Sequence, residues 1–106
     1  MITLPAEMYE KVQEKNGLAE YHCTERQIAL HVVGLDCKNP YTRHGRKFYR
    51  PYRNYFAGEN AFLEKLAEAG LMDVERSGKH VEYSYNRAGL NWLGEQLGVY
   101  IYDEPN

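Results

Sequence analysis

Apolar positions along this chain follow two periods, and the switch between them marks out its elements. Near the start, Leu4, Met8 and Val12 recur every four residues, which places them on one helical stripe. A helix is therefore predicted over residues 4–16. Pro5 suits its first turn, Glu7 and Glu10 face the positive end of its dipole, and Asn16-Gly17 supplies a stop. A second helix is predicted to open at Thr24, where Thr24-Glu25-Arg26-Gln27 has the form of a capping box. Ile28, His31, Val32 and Leu35 fall on one face of it, and Gly34 is placed to end it.

The signal is clearer beyond Gly58. Residues 60–69 read as a helix with Phe62, Leu63 and Leu66 inward and Gly70 as its stop. The period then changes to two. Met72 and Val74 answer Val81, Tyr83 and Tyr85 across Ser77-Gly78-Lys79, which predicts a β-hairpin. Asn86 is suited to cap a last helix carrying Leu90, Leu93 and Leu97 on one face with Trp92 beside them. Val99 to Tyr102 has the character of a closing strand.

Between Asp36 and Gly58 no period holds. Pro40, Gly45 and Pro51 punctuate this stretch, leaving an irregular loop or a short ribbon around Lys47 to Tyr49 as alternatives. A structureless run of that length inside a compact domain is uncommon unless it has a function.

Charge changes how that stretch reads. The formal net charge of −2 conceals a strong asymmetry. Lys38, Arg43, Arg46, Lys47, Arg50 and Arg53 fall within one window that holds no Asp or Glu. This leaves seven of the 13 basic residues elsewhere, against all 15 acidic ones, a balance of −8. Aromatic residues alternate with the cations: Tyr41, Phe48, Tyr49, Tyr52, Tyr55 and Phe56. Arg and Lys neutralise phosphates, and exposed rings stack unpaired bases. The expected binding residues, toward nucleic acid or another partner, are Lys38, Tyr41, Arg43, Arg46, Lys47, Tyr49, Arg50, Tyr52 and Arg53. The competing view places several of these rings in the core with Arg side chains stacked over them, above all Tyr55 and Phe56, which abut a helix start.

The remaining composition sets bounds. At 106 residues, 43% hydrophobic, the chain suits a single domain, 1–106, with one core. No apolar run approaches the ~20 residues that cross a bilayer, and the first residues lack the pattern of a secretory signal. Two cysteines, Cys23 and Cys37, form no disulfide framework, so a reducing cytoplasm with free thiols is expected. His22, Cys23, His31 and Cys37 are zinc-type ligands, but their spacing matches no paired knuckle. No metal or other cofactor is expected. A thiol with a histidine and a carboxylate is assembled by chance in any small protein, and no local catalytic signature surrounds either cysteine, so no enzyme is expected. Glu7, Glu10, Glu14, Glu20 and Asp103-Glu104 read as solvated faces, with phosphate mimicry as the sharper alternative.

The predicted order is helix, helix, helix, hairpin, helix. Leu63-x-x-Leu66-x-x-x-Gly70-Leu71, a hairpin, then Asn86-Arg87-Ala88-Gly89 resemble the second half of a winged helix-turn-helix. The resemblance implies a small α+β, winged-helix-like domain. It would have three helices, a β-hairpin, a C-terminal helix and a long basic, Tyr-rich insertion (37–58) between helices two and three. The third of those helices would then be the reading helix, yet Glu64 and Glu68 outnumber Lys65 on it, with Glu59 just before. Carboxylates there oppose phosphates, so duplex readout by that helix is not expected.

A narrower pattern, Gly34-Leu35-Asp36, then Tyr52-Arg53-Asn54-Tyr55-Phe56, then Gly70-Leu71, resembles short, uncharacterised proteins encoded by phages and prophages. Extra residues separate the first two elements here. The resemblance implies a mobile-element origin and a bacterial host cytoplasm, and it brings no assigned activity. Two functions are compatible with it. One is an accessory protein binding nucleic acid or a nucleoprotein through the basic loop. The other is a protein–protein inhibitor or adaptor acting on a host complex, anti-defence or anti-CRISPR-like. The Tyr100-Ile101-Tyr102 end is a candidate edge for homodimer formation.

Overall fold

The period-two alternation of the second half is realised residue for residue in the computed structural model, which describes residues 2–103. Strands β6 (Met72–Ser77) and β7 (His80–Tyr85) pair antiparallel, with Met72 opposite Tyr85, Val74 opposite Tyr83 and Arg76 opposite Val81. Met72, Val81, Tyr83 and Tyr85 are buried. Helix α2 (Ala61–Glu68) buries Leu63 and Leu66, and the Asn60 side chain caps it by accepting from the Leu63 N–H. Helix α3 (Arg87–Leu97) is capped in the same way by Asn86, which accepts from the Gly89 N–H at 2.9 Å. Gly89 has a packing role: a Cβ there would lie 1.9 Å from the Leu71 carbonyl oxygen. Only glycine lets the start of α3 approach the chain leaving α2.

The first predicted helix is replaced by strands. Residues 4–16 do not form a helix; β1 (Tyr9–Lys15) and β2 (Leu18–Cys23) form an antiparallel hairpin. Asn16 and Gly17, at φ 54° and 77°, are the two left-handed residues of its turn. Asn-Gly between two strands is a strong hairpin signal, and it overrides a four-residue stripe in which Leu4 is buried but Val12 is exposed.

Helix α1 (Glu25–His31) starts as expected but without a capping box. The Thr24 hydroxyl turns away and donates to the Glu7 carbonyl, while the Thr24 N–H donates to the Met8 carbonyl at 3.0 Å. These bonds tie the base of the hairpin to the body. Gly34, at φ 83°, closes the helix: its N–H donates to the His31 carbonyl and the Leu35 N–H to the Leu30 carbonyl.

The unpatterned stretch is a ribbon. Strands β3 (Tyr41–Arg43) and β4 (Arg46–Tyr49) pair antiparallel, and β5 (Phe56–Ala57) joins the edge of β7. The final strand, β8 (Tyr100–Ile101), runs parallel beside β4. The described residues therefore form an α+β fold of three helices and three small sheets, ordered β1-β2, β3-β4-β8 and β5-β7-β6. Leu30, Val33, Tyr49, Leu63, Tyr83, Leu93 and Ile101 are among the residues that fill one core between the helices and the last two sheets. Among the described residues no helix is long and apolar enough to cross a membrane. Glu104 of the acidic end lies outside them.

Candidate nucleic-acid interface

The basic segment acquires two faces because β3 and β4 are strands. His44 and Gly45, at φ 51° and 76°, make the two-residue turn, with both residues left-handed as the hairpin twist requires. Tyr41 then lies opposite Phe48 and Arg43 opposite Arg46. Side chains alternate along a strand, so Tyr41, Arg43, Arg46 and Phe48 share one face and Lys47 and Tyr49 the other. Pairing with β8 decides which face is inward. Phe48 lies beside Tyr100, and Tyr49 beside Ile101, which is buried.

The outward face is an aromatic sheet surface. Phe48 lies near-parallel to Tyr41 (ring centroids 5.9 Å apart, 26° between planes) and to Tyr102 (6.3 Å, 28°). Tyr100 meets Phe48 and Tyr102 edge-on, at 6.4 Å and 4.9 Å. The Arg50 guanidinium sits over the Tyr102 ring at 4.0 Å, and that of Arg87 over Tyr100 at 5.3 Å. Arg87 also donates to the Ile101 carbonyl at 2.6 Å, which fixes β8 against α3. Tyr41, Arg43, His44, Arg46, Phe48 and Tyr102 together line a hollow of about 460 Å³.

One cation of this face, Arg87, lies 4.0 Å from the Asp103 carboxylate. Among the described residues, no salt bridge involves Lys38, Arg43, Arg46, Lys47 or Arg50. Arg43 and Arg46 stand directly opposite one another, an arrangement that costs free energy until an anion is present.

Three of the nine expected residues belong to another assembly. Tyr49 is 4% exposed and its hydroxyl donates to the Val33 carbonyl at 2.6 Å, so its ring is not available for stacking. Burial pushes its pKa up to about 12, with smaller contributions from Tyr52 and Cys37. Arg53 is engaged internally. It donates to the His31 carbonyl at 2.7 Å and 3.1 Å and lies 3.7 Å from the Asp36 carboxylate. Tyr52 packs on Gly34, where a Cβ would fall 2.3 Å from its ring, and its hydroxyl meets the Cys37 thiol at 3.4 Å. That hydrogen bond to Cys37, followed by desolvation, raises the Tyr52 pKa. Lys38 sits 6.0 Å over the Tyr52 ring.

This joint brings Gly34-Leu35-Asp36 and Tyr52-Arg53-Asn54 together. Asp36 binds His31 Nδ1 at 2.6 Å and accepts from Gln27, while its other oxygen is buried without a hydrogen bond and faces Arg53. Asn54 clamps the Tyr85 backbone, accepting from its N–H at 2.8 Å and donating to its carbonyl at 2.9 Å. Gly34-Leu35-Asp36 and Tyr52-Arg53-Asn54 thus hold the ribbon to α1 and β7. His31, on the apolar face read for α1, is half exposed. Both cysteines are free and exposed, and among the described residues no three His, Cys, Asp or Glu side chains are grouped to hold a metal.

Tyr100, Tyr102 and Arg87 complete the outward face and were not among the expected binding residues. The one local sign is the alternation Tyr100-Ile101-Tyr102, which puts both tyrosines on one side of a strand. Comparison with known proteins finds no protein family, curated protein or solved structure that matches this chain.

Proposed function

We propose that this protein is a non-enzymatic accessory protein of the phage or prophage type, acting in the cytoplasm of a bacterial host. It binds nucleic acid, or a nucleoprotein, through the outer face of the β3-β4-β8 sheet. The observation that carries the reading is the grouping of Tyr41, Phe48, Tyr100 and Tyr102 with Arg43, Arg46 and Arg50, cations without a salt bridge among the described residues. Rings offer stacking surface and the arginines offer two-point phosphate recognition. Lys47 and Lys38 add charge nearby.

In a winged-helix-like reading of residues 60–97, α2 takes the place of the recognition helix and β6–β7 that of the wing. Glu64 on α2 is occupied by Arg76 of β6 at 2.6 Å and by the Tyr83 hydroxyl. Glu59 and Glu68 beside it are in no salt bridge among the described residues and oppose phosphates, so anion binding falls to the ribbon. The rival reading is an adaptor or inhibitor of a host protein complex. Exposed tyrosine and arginine, the residue types enriched in interface hot spots, favour it.

A salt-titrated binding assay with a labelled oligonucleotide decides between them. For a single strand, every phosphate that the protein ceases to neutralise makes the log–log salt slope shallower by about 0.7. Replacing Arg43 and Arg46 together with Gln is expected to reduce the slope by about 1.4 and to weaken binding. Absence of binding at low salt to DNA and RNA alike, single- or double-stranded, refutes the proposal. Capture of a host complex that survives charge reversal at Arg46 and Arg50 supports the rival.

A further inference from the structure

The β1–β2 hairpin is exposed along both strands, and only its base, at Glu10, Val12, His22 and Cys23, borders α1 and α2 across an open hollow. Its strands have seven and six residues, every one exposed. Leu18 is 75% and Tyr21 58% exposed. The radius of gyration is 15.0 Å, against about 13 Å for a compact domain of this length. A lone two-stranded hairpin is marginal in water, and an open strand edge is a template for another strand.

Its two edges differ. β1 carries Lys11 and Lys15 and a bulge between Lys11 and Gln13 that breaks its register, devices that discourage pairing. β2, Leu18-Ala19-Glu20-Tyr21-His22-Cys23, carries no lysine, and the bulge leaves it continuous. It is the unguarded edge. β2 is also complementary to itself. In an antiparallel pairing with Tyr21 on a twofold axis, Glu20 lies opposite His22 of the second copy and His22 opposite Glu20. Ala19 then lies opposite Cys23, and the two Tyr21 rings adjoin on the other face. Setting a carboxylate against a hydrogen-bonding imidazole, and aromatic rings against each other, across strands is what stabilises a chosen register.

We propose that the protein dimerises through β2, joining two hairpins into a four-stranded antiparallel sheet with Tyr21 on the axis. This places self-association at the hairpin rather than at the expected Tyr100–Tyr102 edge, where β8 is paired to β4 on one side only. The dimer carries two ribbon faces, so a long polyanion engages both at once and is held more tightly than by one. The dimer itself does not depend on any nucleic acid.

Sedimentation equilibrium of the ligand-free chain is expected to show a concentration-dependent dimer, and Tyr21→Lys to return it to monomer. The register is read by Ala19→Cys in a Cys37→Ser background. Opposed residues of an antiparallel pair lie about 4.5–5.5 Å apart at Cα, within disulfide reach. On one strand, positions 19 and 23 are roughly 13 Å apart, beyond it. Oxidation is therefore expected to yield a covalent dimer through the new thiol and Cys23 of the second copy. A monomer at all concentrations overturns the proposal. So does a dimer that survives Tyr21→Lys and fails to crosslink.

Discussion

Replacing Tyr49 with phenylalanine removes one buried oxygen and leaves the ring in place. The hydroxyl donates to the Val33 carbonyl at 2.6 Å, joining β4 to the end of α1, and Val33 is fully buried. The acceptor left behind is unpaired in the core, so the variant is expected to be less stable at neutral pH by about 1–3 kcal/mol. A second effect has the opposite sign. Burial raises the Tyr49 pKa from 10.0 to about 12 in the folded chain. A raised folded-state pKa means that the native state holds its proton more tightly than the unfolded chain. This contribution is complete below pH ~10 and is lost as the pH rises toward 12. At 1.36 kcal/mol per unit, wild type loses about 2 kcal/mol across that window that Tyr49→Phe does not. Tyr83 and Tyr85, whose pKa values burial also raises, are common to both proteins and cancel in the difference. Urea unfolding at a series of pH values from about 8 to 11.5 measures it. The stability gap is expected to narrow by most of that 2 kcal/mol. A constant gap would show that the hydroxyl is solvated and that β4 does not carry it into the core.

Two further outcomes follow from the joint and from α2. Gly34→Ala forces an L-residue to φ 83° and sets its Cβ against Tyr52, whose half-exposed ring swings aside. The backbone cost is about 1–2 kcal/mol, read as a fall in Tm of roughly 4–16 °C, and adding Tyr52→Ala should relieve none of that backbone part. In Glu64, the hydrogen bond from Tyr83, then that from Arg76, hold the carboxyl below its ordinary pKa of 4.5. Its contribution is present above that value and lost as pH falls through the lower one, so the advantage of wild type over Glu64→Gln in thermal melts should shrink on acidification below pH 4.5.

The second half of the fold is legible in the chain alone. Alternation in β6 and β7, the Asn86 cap and Gly70 after α2 are local signals, each formed among neighbours in the chain, whereas the Asn60 cap was not among those expected. The unusual chemistry is equally legible, since charge and aromatic content are visible without a fold. Which of those side chains face solvent is a matter of tertiary pairing. A strand's faces alternate residue by residue, and only its partners fix which is buried; a slip of one position exchanges them. Pairing of β4 with β8 turned Phe48 outward and Tyr49 inward, and brought Tyr100 and Tyr102 beside a ribbon some fifty residues earlier. The same holds for residues 4–16. Their four-residue stripe described a helix that needed a core to lie on, whereas the Asn16-Gly17 turn needed only its two flanking strands.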